Sequence, residues 1–236
     1  MQKTKRLVVF GSQEMARLVR FYFEQDSIYD VVGFTVDDAH ADSADIDGLP
    51  LVPWSGVNSR FPAGDHEMFV ALSYQGLNQL RAEKFSQAKA AGYRLASYVC
   101  SKSVTWPDLV IGENCLVLEN QTVQPTCRLG DNVYLWSGNH IGHGSVIEDH
   151  VYLASHIVVS GHCRIGTRSF LGVNATLRDF ITIGADCFIA MDASVTQDMA
   201  PGSVALGQPA TIHAADEKMA RMLKRKYFGT EQGPRT

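Results

Sequence analysis

From Ile111 to Val195 every sixth residue is aliphatic, the series running Ile111, Val117, Val123, Leu129, Leu135, Ile141 and onward through Leu153 and Ile165 to Ile189 and Val195. Six residues is too long for a helix and carries no strand alternation, so the repeat is a structural unit in its own right. If each hexad is a short straight run and a corner, three hexads close a triangular coil of about eighteen residues. A parallel β-helix is predicted, with the sixth-position aliphatics on its axis. A second column four places later is mostly small or apolar, from Cys115 and Cys127 to Ala193 and Met199. Gln121 and Asn139 interrupt it eighteen residues apart, which predicts stacked amides bonded to each other. Gly follows the aliphatic at Gly112, Gly130, Gly142, Gly166, Gly172 and Gly184, where the chain can turn without a Cβ clash.

The first hundred residues follow different rules. An apolar strand Leu7–Phe10 runs into Gly11 and Ser12. A helix with Met15, Leu18, Val19, Tyr22 and Phe23 on one face follows, then a strand Val31–Val36 ending in Asp37 and Asp38. This is a βαβ unit. A further strand Met68–Leu72, a helix carrying Leu77, Leu80, Phe85 and Ala88, and a strand Leu95–Val99 extend it to a small parallel sheet. Residues 39–66 read as a surface excursion with one short strand near Leu51. Three segments result: an α/β nucleotide-type domain over 1–100, the β-helix over 101–212, and a C-terminal segment 213–236 whose basic amphipathic helix, Ala214–Phe228, caps the open coil.

Composition excludes several partners. The chain has 236 residues, 45% hydrophobic, with 21 basic residues in no long cluster and a formal net charge of -4, so nothing marks it for nucleic acid or an anionic membrane. No apolar run reaches the roughly 18 residues of a membrane span, and the start MQKTKRLVVFGS is unlike a signal peptide, so a cytoplasmic protein is expected. Four of the five cysteines fall in the inward second column and read as small core residues.

Five of eight histidines fall between His140 and His162. His150, His156 and His162 each stand third after a repeat aliphatic on successive faces of one coil, so they point from three corners and do not converge on one ion. No metal is expected, and His150 and His156 read as solvated residues without a role. His143 stands between Gly142 and Gly144, where a ligand can approach the backbone closely. It is the leading candidate for a base, and His140 beside Asn139 is the second, as a packing or orienting residue.

The repeat, the preceding βαβ domain, the run HIGHGSVIEDHVYLASHIVVSG and the ending MAPGSVALGQPA resemble the left-handed β-helix sugar-nucleotide N-acetyltransferases of bacterial surface glycan and lipopolysaccharide biosynthesis, including sialic-acid O-acetyltransferase-like members. The resemblance covers nearly the whole chain and supplies the left hand of the coil. It implies a homotrimer with active sites in grooves between neighbouring β-helices. It also implies acetyl-CoA along one groove, with Gly142, Ser160, Gly161, Gly172 and Ala190 as candidate contacts, and a sugar nucleotide held partly by Gly11, Ser12, Asp37 and Asp38. His143 matches the family's catalytic base.

Two positions depart from the family. Gly144 replaces the acidic or polar residue that usually follows the base, and Tyr152 replaces a second histidine nine places on. His140, Glu119 or Glu148 is then the candidate to orient His143, and the Tyr152 hydroxyl to contact the acetyl carbonyl. The expected reaction is attack of an amino-sugar amine on a thioester with His143 as general base. O-acetylation of a sugar, a non-catalytic trimeric scaffold and a zinc β-helix of the carbonic-anhydrase type are the alternatives.

Overall fold

The computed structural model describes residues 2–207 together with 217–219, 221, 222 and 225. The N-terminal domain runs β1 (Lys5–Phe10), α1 (Glu14–Gln25), β2 (Tyr29–Val36), β3 (Asp45–Ile46), β4 (Leu49–Pro53), α2 (Val57–Arg60), β5 (Glu67–Val70), α3 (Gln79–Ala90) and β6 (Arg94–Leu95). Its sheet order is β3-β4-β2-β1-β5-β6, parallel except for the β3–β4 hairpin. The chain winds outward from β1 through β2 in one direction and from β5 through β6 in the other. The carboxyl ends of β1 and β5 therefore flank a topological switch point, the place where α/β sheets open a crevice.

Residues 39–66 are more ordered than a surface excursion, because β4 joins the sheet beside β2 and α2 buries Val57 under it. The expected strand Leu95–Val99 is split. Arg94–Leu95 completes the N-terminal sheet, while Tyr98–Val99 pairs with Leu116–Val117 as the first rung of the β-helix. The junction thus falls before residue 100.

The β-helix has three sheets, one of seven strands and two of five, in which strands pair in parallel eighteen residues apart, as in Tyr134↔Tyr152, His140↔Val158 and Arg128↔Val146, except that the last strand, Val204–Ala205, pairs with Phe188–Ile189 at a shorter spacing. Of the sixth-position aliphatics only Ile111, in the open first coil, is less than fully enclosed; Val117 to Val195 form one continuous core. Each contributes about 1.5–3 kcal/mol by leaving water. The cysteines of the second column are buried there as free thiols.

The corners correct the expected role of glycine. Gly112, Gly130, Gly142 and Gly172 have no left-handed backbone; a Cβ at Gly142 would come within 2.5 Å of the Gly161 nitrogen, so these glycines let one coil rest on the next. The left-handed residue lies two places later, third after the aliphatic, with φ of 59° at Asn132, 63° at His150, 60° at His156, 57° at His162 and 61° at Phe180. Asn, Asp and His tolerate that conformation better than most side chains, which accounts for three of the clustered histidines.

Gln121 and Asn139 do not bond to each other. Both donate to the Trp136 carbonyl, at 2.7 and 2.5 Å, and Asn139 Oδ1 accepts from the Ile157 N–H at 2.7 Å. Of the tail, residues 218, 219, 221, 222 and 225 are helical; the rest of the expected capping helix lies outside the described residues. No helix among the described residues is long and apolar enough to cross a membrane.

Candidate active site

His143 sits just past the strand His140–Ile141, on the corner that leads to Val146–Ile147. Its ring is exposed to solvent. Gln124, one coil below, holds it: Gln124 Oε1 accepts from the His143 backbone N–H at 2.8 Å and lies 3.1 Å from His143 Nδ1. Gln124 was not legible as a site residue, since it precedes His143 by nineteen residues, one coil and one step.

A second histidine joins the site. His162 meets His143 edge to face, with ring centres 4.8 Å apart at 83°, and its other side stacks on Phe180 at 4.9 Å and 12°. The two imidazoles interlock with glycines. A Cβ on Gly161 would stand 2.8 Å from His143 Cε1, and one on Gly144 would stand 2.5 Å from His162 Nδ1. Gly144 also has φ +68°, a left-handed value at which a side chain is strained. The acidic or polar side chain expected at the Gly144 position therefore has no room here, because His162 fills its place.

The expected orienting residues are engaged elsewhere. Glu119 accepts from the Tyr22 and Ser137 hydroxyls, both at 2.8 Å, and ties α1 to the β-helix. Glu148 pairs with Arg164 and accepts from the Thr167 N–H at 3.0 Å. His140 projects from a flat face in register with Thr122 and Val158, and its ring has no hydrogen bond to another described residue.

Tyr152 lies on a different sheet from His140–Ile141, buried where the two domains meet. Its ring stacks on Phe170 at 5.4 Å and takes the edge of Tyr74 at 5.2 Å. Burial pushes its phenol up to about 12, which leaves it a neutral hydroxyl at working pH. One chain does not bring it to His143. Of the expected donor contacts, Gly142, Ser160 and Gly161 share the His143 corner, whereas Gly172 and Ala190 lie on the edge that leaves the seven-stranded sheet.

Gly11, Ser12 and Asp37 gather at the carboxyl ends of β1 and β2. Gly11 has φ +135° and its N–H donates to the Thr35 carbonyl at 2.8 Å; a Cβ there would come within 2.9 Å of the Ala71 carbonyl oxygen. Backbone geometry alone thus demands that glycine. Asp37, about one third exposed, receives a 2.7 Å bond from Lys84, whose side chain is only 10% exposed. Asp38 instead accepts from the Ser55 N–H at 2.9 Å, which holds its carboxyl below the usual range and commits it to the loop.

His150 is a domain clamp rather than a solvated corner. A polar column runs from the Val70 N–H to Asn114 Oδ1 (2.7 Å), from Asn114 to Asn132 Oδ1 (2.8 Å), and from Asn132 Nδ2 to His150 Nδ1 (2.9 Å). Arg81 of α3, fully buried, donates to Asn132 Oδ1, to Asn78 Oδ1 and to the His150 carbonyl, each at 3.0 Å, and also to the Asn132 carbonyl. The N-terminal domain is thereby docked on one corner and His143 stands on another. Among the described residues no three His, Cys, Asp or Glu groups gather to hold a metal ion.

Residues 163–197 match the hexapeptide repeat of succinyl-transferase. The acetyltransferase domain of PglB from Neisseria gonorrhoeae superposes with a TM-score of 0.76 at 22% identity, covering 88% of this chain and 99% of that one. A single-residue variant of perosamine N-acetyltransferase from Caulobacter crescentus, solved with CoA and GDP-perosamine, gives 0.77 at 23% identity, covering 91% and 99%. These likenesses show the fold, an N-terminal α/β sheet followed by a left-handed parallel β-helix. By sequence, an acyl-[acyl-carrier-protein]–UDP-N-acetylglucosamine O-acyltransferase from Burkholderia mallei is 32% identical over 130 residues, 52% of this chain and 48% of that protein. The chain spans less than half the length of the curated relatives it matches. The likeness of fold includes the N-terminal domain, since the structural matches cover nearly all of both chains.

Proposed function

We propose that this chain is an acetyl-CoA-dependent N-acetyltransferase of a nucleotide-linked amino sugar, working in the cytoplasm as a homotrimer in bacterial surface glycan synthesis, with His143 as general base. The observation that carries this reading is the state of the His143 ring: Nδ1 is held by Gln124, and the ring is open to solvent. Nε2 is then free to take a proton. In the reaction the sugar amine attacks the thioester carbonyl, the N–C bond forms while Nε2 removes the amine proton, and the C–S bond breaks to release CoA thiolate. Juxtaposition of the two substrates supplies much of the remaining acceleration.

His143 lies on an open edge, which shields no reaction from water within one chain. A neighbouring β-helix against that edge would close a groove, and exposed Val173 and Met191, on the corner beside Gly172 and Ala190, offer apolar surface for packing of this kind. Trp136 offers no such surface, since it is packed against the interdomain core. The acceptor's nucleotide is assigned to the crevice at the ends of β1 and β5, near Ser12 and Asp37.

O-acylation is the second reading, favoured by the sequence match to an O-acyltransferase of UDP-N-acetylglucosamine. A thiol-release assay with acetyl-CoA across UDP-, dTDP- and GDP-linked amino sugars, each beside its hydroxy analogue, separates the two. Release with the amino sugars alone supports N-acetylation. The absence of release with every acceptor, together with no saturable acetyl-CoA binding, would leave the non-catalytic scaffold.

A further inference from the structure

We propose that Gln124 is the positioning residue that fixes the His143 ring in the tautomer a base requires, a role that rests on the acetyl-transfer reading above. One end of the Gln124 amide faces the histidine, and the backbone decides which. The His143 backbone N–H, 2.8 Å away, is only a donor, so it needs the amide oxygen and would repel the NH₂. The backbone thus sets the amide's orientation. The same oxygen lies 3.1 Å from Nδ1, and an amide oxygen only accepts, so Nδ1 carries the hydrogen. A neutral imidazole with Nδ1–H has its lone pair on Nε2, which has no hydrogen-bond partner among the described residues.

The remaining neighbours fix the ring's place and leave its proton alone. His162 meets it edge to face without a hydrogen bond, and Gly161 leaves the space in which it lies. Besides His162, the charged groups on this corner are Asp108, whose carboxylate accepts from the Thr126 N–H at 2.6 Å, and Arg178 and Asp179, two coils beyond Gly142 and His143 in their columns. Among the described residues Gln124 alone bonds to the ring. Because its oxygen is uncharged, it orients the imidazole while giving the protonated ring less support than a carboxylate would. Coil register places this partner across the ladder, where sequence adjacency to the base is not needed.

The test uses the full chain with Gln124→Leu and Gln124→Glu. ¹⁵N NMR of the ring nitrogens, with the His143 signals assigned by their loss in His143→Ala, should show Nδ1–H in the parent and in Gln124→Glu, and a mixture of tautomers in Gln124→Leu. Kinetically, Gln124→Leu should lose about 10- to 100-fold in kcat with KM for both substrates within about twofold. Gln124→Glu should retain turnover but raise the acidic limb of its kcat/KM–pH profile by about one unit. An unchanged tautomer in Gln124→Leu overturns the proposal, as does a Gln124→Glu profile that superimposes on the parent's. Should Gln124→Leu fail to fold, the Gln124→Glu profile decides alone. A parent protein with ordered Nδ1–H and no acetyl transfer to any acceptor would instead refute the reaction, leaving the Gln124 contact in place.

Discussion

The guanidinium of Arg81 lies over the Tyr134 ring, 4.1 Å from its centre, fully buried and with no carboxylate among its hydrogen-bond partners. Burial pushes it down to about 10, so it remains charged at neutral pH and is neutralised only by carbonyl and amide oxygens. A buried cation held this way is costly to disturb, because removing it leaves several buried acceptors unpaired. Arg81→Met should destabilise the protein by about 3 kcal/mol, lowering Tm by roughly 8 °C for a chain of this size. Thermal unfolding that moved by less than about 2 °C would show that the domains are held chiefly by their apolar seam.

His150 adds a pH dependence to that seam. Burial, and then the charge of Arg81, hold its ring below the usual histidine range. The unfolded chain therefore takes up this proton first, near pH 6.5 or about that value, so stability falls as pH drops below it and levels off once the native ring is protonated. His150→Asn, which keeps a residue suited to the left-handed corner, should flatten the Tm–pH curve between about pH 7 and pH 5. An undiminished slope in the variant would assign the acid sensitivity to other groups.

For the chemistry, His143→Ala should reduce kcat by about 10² or more while acetyl-CoA still binds, and His140→Ala should cost less. Gly161→Ala provides a steric counterpart, since its methyl would press on the His143 ring from 2.8 Å or less. It should lower kcat more than it weakens acetyl-CoA binding. Near-full turnover of His143→Ala, with His140→Ala inactive but folded, would move the base to the flat face.

Asp37→Asn weakens the bond to buried Lys84 and alters the charge at the crevice. The apparent KM for the sugar nucleotide should rise while that for acetyl-CoA stays nearly constant. Equal changes in both would indicate loss of the folded domain rather than of an acceptor contact.

The β-helix was legible because its period is written in a residue class: an aliphatic at every sixth place has one geometric meaning. The βαβ order was legible for the same reason. Contacts that cross between distant coils or domains left no such mark. The inward face of α3 carries Arg81 and Lys84 beside Phe85 and Ala88, and a reading of apolar periodicity assigns such charged residues to solvent. Besides near neighbours on the chain, their partners are carbonyl and amide oxygens and a carboxylate dozens of residues away. Likewise His150 and His162 occupy equivalent steps of the repeat, yet one faces a domain and the other faces His143, a distinction set by which corner each occupies. Gln124 carries no signal until the coil is closed.

Because each coil repeats after eighteen residues, the three corners act as parallel tracks along the prism. Asn114, Asn132 and His150 lie on the track that carries the neighbouring domain, and Gly144 and His162 lie on the one beside His143. A substitution on one track need not disturb the other. Chains built this way can exchange the docked α/β module while keeping the His143 corner intact, provided the graft preserves a short run of amide and imidazole side chains spaced one full coil apart.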